Sequence, residues 1–410
     1  MYDFDEVVNR KGTLSVKWNG DAIASIAGNR NAEPFWVADM DFKAAPEIEA
    51  EVVKAAETAT YGYPHFNGNR EVFCGWAQKR HGWTVDPEDV VICQGMLTSI
   101  AMMVETLTAP GDGVIVPMPA YQPFVRIVNN LERKLVRWPL LYDDYTHKFS
   151  LDWTVLDHLC EKAKLLIFCN PHNPSGVDFP ESDLTTLCTI AERHHTTIIC
   201  DEIHGDLAFG THVPLLKVAE RTGVRAVTCM APSKTFNIAG EHFSVVVTRD
   251  EKIRETLKRR MTQLFSGETS FFSTTAAIAA YSYGYPWLME LITYLEGNCN
   301  LIDQFCKERI PGMTFIRPEA SFIGFIDCSG ILPLVEKDAK SNPTLYDPTF
   351  SPAGGVLSRF FGQRASVAVN DGTWFGGDSY RTFVRFNYGV RCENIKHAFE
   401  RIERAVNALR

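Results

Sequence analysis

No run of apolar residues in this chain is long enough to cross a bilayer, so no transmembrane helix is expected. Basic residues are in the minority: 41 Lys and Arg against 50 Asp and Glu leave a net charge of −9, which argues against a nucleic-acid-binding surface. No helix-turn-helix pattern or basic patch supports DNA binding either. No Cys-x-x-Cys pair occurs among the 11 cysteines. They are scattered, odd in number and set partly in apolar runs, which excludes a disulfide framework and a thiolate metal site from the expected plan and leaves reduced thiols. The opening residues, Met1-Tyr-Asp-Phe-Asp-Glu6, are acidic and polar and do not read as a signal peptide, so a cytoplasmic protein is expected. Internal repeats and low-complexity tracts are lacking as well. What remains is an ordinary globular composition, 45% hydrophobic and 22% charged, in 410 residues that can hold two domains and a large core.

Short β-branched runs alternate with longer amphipathic stretches through the middle of the chain. Val90 to Cys93, Val114 to Val116, Lys164 to Cys169, Thr196 to Cys200, Ala226 to Cys229 and Phe243 to Thr248 read as buried strands. Between them Leu97 to Leu107, Tyr121 to Asn130, Leu151 to Ala163 and Glu181 to His194 have helical length and period, with Ser182 as a helix start. This alternation predicts an α/β protein with a mainly parallel sheet covered on both faces, whose ligands collect at the carboxyl ends of the strands. After about Tyr294 the pattern changes to short strands (Thr314 to Arg317, Phe322 to Asp327, Val384 to Tyr388) and a final helix, which reads as a smaller α+β domain. Ser341 to Gly355 reads as a loop, either a surface insertion or a lid.

The residues that can carry chemistry fall at strand ends. Lys234, in Met230-Ala-Pro-Ser-Lys-Thr-Phe-Asn-Ile-Ala-Gly240, follows an apolar strand, and Asp201 ends another. A lysine and a carboxylate so placed suit an aldehyde cofactor: the lysine forms a Schiff base and the aspartate pairs with a pyridinium nitrogen. Gln94-Gly-Met-Leu-Thr98 is either a plain strand-to-helix turn or a phosphate cradle made of free helix amides. Asn170-Pro-His-Asn-Pro-Ser-Gly176 is a rigid loop that either only turns the chain or aims Asn173 at a ligand oxygen. Glu202 and His204 lack further metal ligands nearby, so no metal is expected, and His204 alone fits a hydrogen-bonded core histidine. Arg385, in an apolar strand, needs an anion: a structural carboxylate or a substrate carboxylate.

Taken together, these motifs resemble the pyridoxal-phosphate enzymes of the aspartate aminotransferase fold (fold type I), and within them the MalY/PatB branch of cystathionine β-lyase-like C–S lyases. The resemblance runs from Phe4-Asp5 and Thr13-Leu-Ser-Val-Lys-Trp18 through Trp36-Val-Ala-Asp-Met-Asp-Phe42, Tyr61-Gly-Tyr63, Pro119-Ala-Tyr-Gln-Pro-Phe124, Pro171 to Gly176 and Asp201-Glu-Ile-His204 to Ser233-Lys-Thr-Phe-Asn237. It implies a large pyridoxal-phosphate-binding domain over residues 47–293 and a small α+β domain over 294–410, joined by residues 1–46. It further implies that Lys234 is the Schiff-base lysine and acid/base, that Asp201 keeps the ring nitrogen protonated, and that Tyr121 stacks on the ring. By the same resemblance Asn173 bonds the ring hydroxyl oxygen, His204 borders the cofactor, and Gly95, Met96, Leu97 and Ser233 hold the phosphate. Tyr61 or Tyr63 reaches the phosphate of a neighbouring subunit in a homodimer, and Arg385, with Asn173 and Ala38, binds the substrate. Two departures from the branch stand out: Glu241-His242 after Gly240, where Leu-Gln-like residues are usual, and the long Ser341 to Gly355 stretch.

The expected reaction is β-elimination from an S-substituted L-cysteine, giving a thiol, pyruvate and ammonia. An aminotransferase using the same residues is the first alternative. A lyase for a larger thioether and a cofactor-bearing regulatory binding protein are the others.

Overall fold

A computed structural model describes residues 2–66, 68–347 and 351–410. Seven strands build its large sheet: β1 (Val90–Cys93), β2 (Gly113–Met118), β3 (Lys134–Pro139), β4 (Ala163–Cys169), β5 (Thr197–Asp201), β6 (Ala226–Met230) and β7 (Ser244–Val247). Their order is β1-β7-β6-β5-β4-β2-β3. Only β7 runs antiparallel to its neighbours; the other pairings are parallel. Strands β2, β5, β6 and β7 are buried along their whole length, as expected of a parallel sheet covered on both faces.

A second sheet contains β8 (Thr314–Phe315), β9 (Ile323–Asp327), β10 (Asn370–Asp371) and β11 (Phe383–Asn387) in the order β8-β9-β11-β10, all antiparallel. The helix Tyr285–Glu308 runs unbroken from the end of the first sheet's helices to the second sheet. It buries Leu288, Leu291, Leu295 and Ile302, and its Asn298 donates to the Tyr388 and Val390 carbonyls at 2.9 and 2.8 Å. Near the N-terminus, Glu33–Pro34 pairs in parallel with Val367–Ala368.

Among the places where the structure departs from the sequence reading, three have a clear local cause. The edge strand β3 is added; it exposes Lys134, Arg137 and Pro139 and buries only Trp138, so it lacks an apolar run. The helix Glu181–Arg193 starts one residue before Ser182, on Pro180, whose fixed φ already suits the entry to a helix. Much of the expected loop after Ser341 is ordered: Ser341 closes the helix Leu332–Ser341, and Pro343–Tyr346 form a 3-10 turn. Asp338 explains this, because it accepts hydrogen bonds from both Asn342 and Tyr346. Pro348, Thr349 and Phe350 lie outside the described residues.

Candidate functional site

The carboxyl ends of β4, β5 and β6 open on one small cavity of about 60 Å³. Asp201 closes β5, Cys169 closes β4, and Lys234 follows β6 in the short helix Pro232–Thr235. These three line the cavity together with Ala38, Met96, Leu97, Tyr121, Asn173, Ile203 and His204. Residues 196 positions apart in sequence thus meet: the Lys234 amine donates to the Ala38 carbonyl at 2.6 Å.

Burial dominates the electrostatics. Asp201 is pushed up to about 7 by desolvation, against the pull of the Ile203 amide, which it accepts at 3.0 Å. Lys234 is brought down to about 8 by desolvation; Asp39 opposes that fall, Arg385 adds to it, and Asp201 opposes it more weakly than Asp39. The amine is therefore close to its proton-transfer range at neutral pH. His204 is lowered to about 3, first by burial and then by the Lys234 and Arg385 charges, so it is neutral. Its Nδ1 bonds the Ser321 hydroxyl at 2.9 Å, and Ser321 itself holds a left-handed φ of 81°.

The turn at Gly95 has a geometry only glycine adopts readily, with φ 88° and ψ 151°. It caps the helix Met96–Leu107 without a side-chain bond. The Gly95 amide itself donates to the Cys93 carbonyl at 3.1 Å, so the first-turn amides from Met96 onward are the free ones. Ser233 is half-buried beside Lys234 but does not line the cavity, and Tyr61 and Tyr63, 56% and 96% exposed, stand apart from it. The Tyr61 hydroxyl donates to the Ala56 carbonyl.

Arg385 settles an open choice. It is buried in β11, and among the described residues no carboxylate pairs with it. Its guanidinium instead donates to neutral oxygens: Asn173 Oδ1 at 3.2 Å, the Trp36 carbonyl at 2.7 Å and Asn370 Oδ1 at 2.8 Å. Its Nε–H has no acceptor, and the Phe375 ring lies 4.9 Å from the guanidinium carbon. A structural ion pair is thereby ruled out among the described residues. Desolvation lowers the guanidinium to about 10, still cationic at neutral pH.

Sequence reasoning missed how the 36–42 segment is held. Side chains, not a sheet, take up its backbone groups. Asn237, at φ 56°, accepts from the Met40 amide at 2.9 Å and donates to the Met40 and Phe42 carbonyls at 2.9 and 2.7 Å. Asn387 donates to the Val37 and Asp39 carbonyls, and the fully buried Lys17 donates to the Asp39 carbonyl at 3.0 Å. Arg10 spans Asp39 and Asp41 at 2.9 and 2.7 Å, while Trp18 donates to Asp41 at 2.8 Å. The sequence carried no local signal for it: Asn237 follows Ser-Lys-Thr-Phe and Asn387 follows Arg-Phe, neither an apolar run.

The family model for aminotransferase class I and II matches residues 37–402. The chain belongs to that family. It is 33% identical over 408 residues to the cystathionine β-lyase PatB of Bacillus subtilis, covering 99% of this chain and 100% of that one. Among solved structures, cystalysin from Treponema denticola, which contains pyridoxal 5'-phosphate, superimposes with a TM-score of 0.88 at 27% identity over 100% of both chains. The pyridoxal-phosphate-bound C–S lyase of Staphylococcus hominis gives 0.85 at 27% identity over 99% of each.

The residues present here fit the same cofactor. A buried carboxylate pushed to about 7 calls for a cationic partner such as a ring nitrogen. A glycine-only turn with free helix amides suits a phosphate, and a lysine amine of depressed pKa suits an aldehyde.

Proposed function

We propose that this protein is a pyridoxal-phosphate-dependent carbon–sulfur β-lyase that releases a thiol from an S-substituted L-cysteine and yields pyruvate and ammonia. The observation that carries the reading is the convergence of Lys234, Asp201 and Asn173 on one cavity, with Asn173 bonded to an arginine that has no carboxylate partner among the described residues.

Bound there, pyridoxal phosphate supplies an aldehyde that joins the substrate amine and a protonated ring that draws electrons from the Cα–H bond. Asp201, buried at the end of β5, would accept from the ring nitrogen and hold that proton in place. Met96 and Leu97 would present their free amides to the phosphate, and Ser233, next to Lys234, would add its hydroxyl. Tyr121, His204, Asn173, Ile203 and Cys169 line the cavity that would hold the cofactor; Tyr121 would stack on its ring, and the apolar Ile203 and Cys169 would keep water out. Arg385 takes the substrate carboxylate and so fixes which Cα bond faces Lys234. The Lys234 amine, near pKa 8, accepts the α-proton; the Cα–H electron pair becomes a Cα=Cβ bond as the Cβ–S pair leaves with sulfur as thiolate. Ala38 borders the substrate, and its carbonyl holds the lysine amine at rest.

We propose further that the enzyme works in the cytoplasm as a homodimer with its sites at the subunit interface. Exposed Tyr61, Tyr63 and Phe265, together with Leu97, which is both 37% exposed and part of the cavity wall, support that arrangement. The division into residues 47–293 and 294–410, with 1–46 joining the latter, is part of the same proposal; the pairing of Glu33–Pro34 with Val367–Ala368 supports it.

The test presents L-cystathionine, S-methyl-L-cysteine and an amino acid with a keto acid to the loaded enzyme. Pyruvate and thiol in equal amounts are expected. Amino-group exchange without thiol would replace the lyase reading by the aminotransferase one.

A further inference from the structure

The N-terminal segment contributes to the site through charge. Asp39 adjoins the Ala38 carbonyl that receives the Lys234 amine. Its carboxylate is gripped by Arg10 through Nη1 at 3.1 Å and Nη2 at 2.9 Å, and Lys17 stands 3.8 Å away. Arg10 also donates to the Met40 carbonyl at 2.9 Å and Lys17 to that of Asp39 at 3.0 Å, so both cations hold backbone as well as carboxylate. The cluster is sheltered: Lys17 is 0% exposed and the Arg10 and Asp39 side chains are 20% and 18% exposed, which limits screening by water.

We propose that Arg10, with Lys17 behind it, is a positioning residue for Lys234: by gripping Asp39 it fixes both the carbonyl that receives the lysine amine and the charge beside that amine. The inference rests on the reading of Lys234 as the cofactor-bearing base.

The charged and titratable groups around Lys234 are few. Asp39 comes from the 36–42 segment, Asp201 and His204 from the end of β5, and Arg385 from β11, with Tyr121 and Cys169 completing the wall. Asp39 is the carboxylate acting most strongly on the amine, ahead of Asp201. Its pull depends on how fully its own charge is neutralised. Removing Arg10 leaves Asp39 undercompensated, which favours the protonated form at Lys234; removing the Asp39 charge leaves Arg10 and Lys17 with Asp41 alone, at 2.7 and 3.0 Å, and so with a net positive charge, which disfavours it. A purely structural anchor predicts no such reversal of sign.

The experiment follows the pH midpoint of the visible absorption of the bound cofactor in the holoenzyme, with the thermal midpoint of each variant recorded alongside. Arg10→Gln is expected to raise the absorption midpoint by about half a pH unit or more, and Asp39→Asn to lower it by a similar amount. Arg10→Lys, which keeps the charge, should stay near the parent, and the double variant Arg10→Gln/Asp39→Asn should return towards it. Equal midpoints in Arg10→Gln and Arg10→Lys, or shifts of one sign in both single charge variants, would overturn the proposal. If Asp39→Asn does not fold, the Arg10→Gln and Arg10→Lys pair still decides. A parent enzyme in which borohydride traps no cofactor on Lys234 would sink the lyase reading itself, and this inference with it.

Discussion

Replacing Arg385 by lysine tests the substrate-carboxylate reading most directly. The parent side chain is buried, cationic and without a carboxylate partner among the described residues, and it keeps one N–H with no acceptor. A bound carboxylate would accept charge-assisted hydrogen bonds from it, each contributing about 1.5–3 kcal/mol. Lysine keeps the charge but not the planar fork, so one such bond is lost and the other is misaligned. The loss is then about 3 kcal/mol, or ~100-fold in affinity. L-Alanine carries no β-leaving group, so its binding is read without turnover, and its methyl ester carries no carboxylate. Titrating both into the loaded enzyme and following the visible absorption gives two dissociation constants. The parent should prefer L-alanine to its ester strongly, and in Arg385→Lys that preference should shrink by ~100-fold while ester binding changes little. A variant that kept the parental preference within about threefold would refute the assignment, because a neutral structural role for Arg385 weakens both ligands alike.

Asp201 makes the cofactor-free protein sensitive to pH. Its folded pKa of about 7 lies above its unfolded value of ~3.9, so its contribution to stability is fully present below pH ~4 and is lost as pH rises through 7. Three units correspond to about 4 kcal/mol, and urea midpoints of Asp201→Asn should lack that decline; matching slopes in parent and variant would count against a protonated buried carboxyl. Asn237→Ala removes three hydrogen bonds to residues 40 and 42, a loss of about 3 kcal/mol. At φ 56° alanine adds ~1 kcal/mol of backbone strain that Asn237→Gly avoids, so glycine should be the milder change in urea denaturation. Gly95→Ala forces φ 88° on a residue with a Cβ, which would stand 3.3 Å from His242 Nδ1. Cofactor affinity measured by equilibrium dialysis should fall at least ~10-fold, equivalent to about 1.4 kcal/mol, and an unchanged value would exclude the turn as a phosphate cradle.

The central strands were legible because a strand buried on both faces must be a continuous apolar run, and β5, β6 and β7 are such runs. The edge strand β3 exposes Lys134, Arg137 and Pro139, so its pattern is too polar to stand out. Lys234, Asp201 and Asn173 could be picked out because their residue types are chemically unusual at strand ends. Arg10, Lys17, Asn237 and Asn387 could not: Asn237 and Asn387 are held by backbone groups, which look alike in every sequence, and Arg10 and Lys17 meet Asp39 and Asp41 with no periodic pattern to mark the pairing. The Asn387 donor and the Val37 acceptor are 350 residues apart, and no local pattern encodes that meeting. Arg385 lay between these cases: its need for an anion was legible, but only the structure excludes a carboxylate among the described residues.

The manner in which residues 36–42 are held also fixes when they can be built. Their carbonyls depend on donors from residues 10 and 17, from 234 and 237, and from 385 and 387, so three remote parts of the chain must be in place first. Closing such long loops precedes any gain from these bonds. During synthesis, residues 36–42 leave the ribosome early and wait for some 350 more before their last partners arrive. This wall of the cavity beside Lys234 is therefore among the first parts of the protein to be made and among the last to be finished.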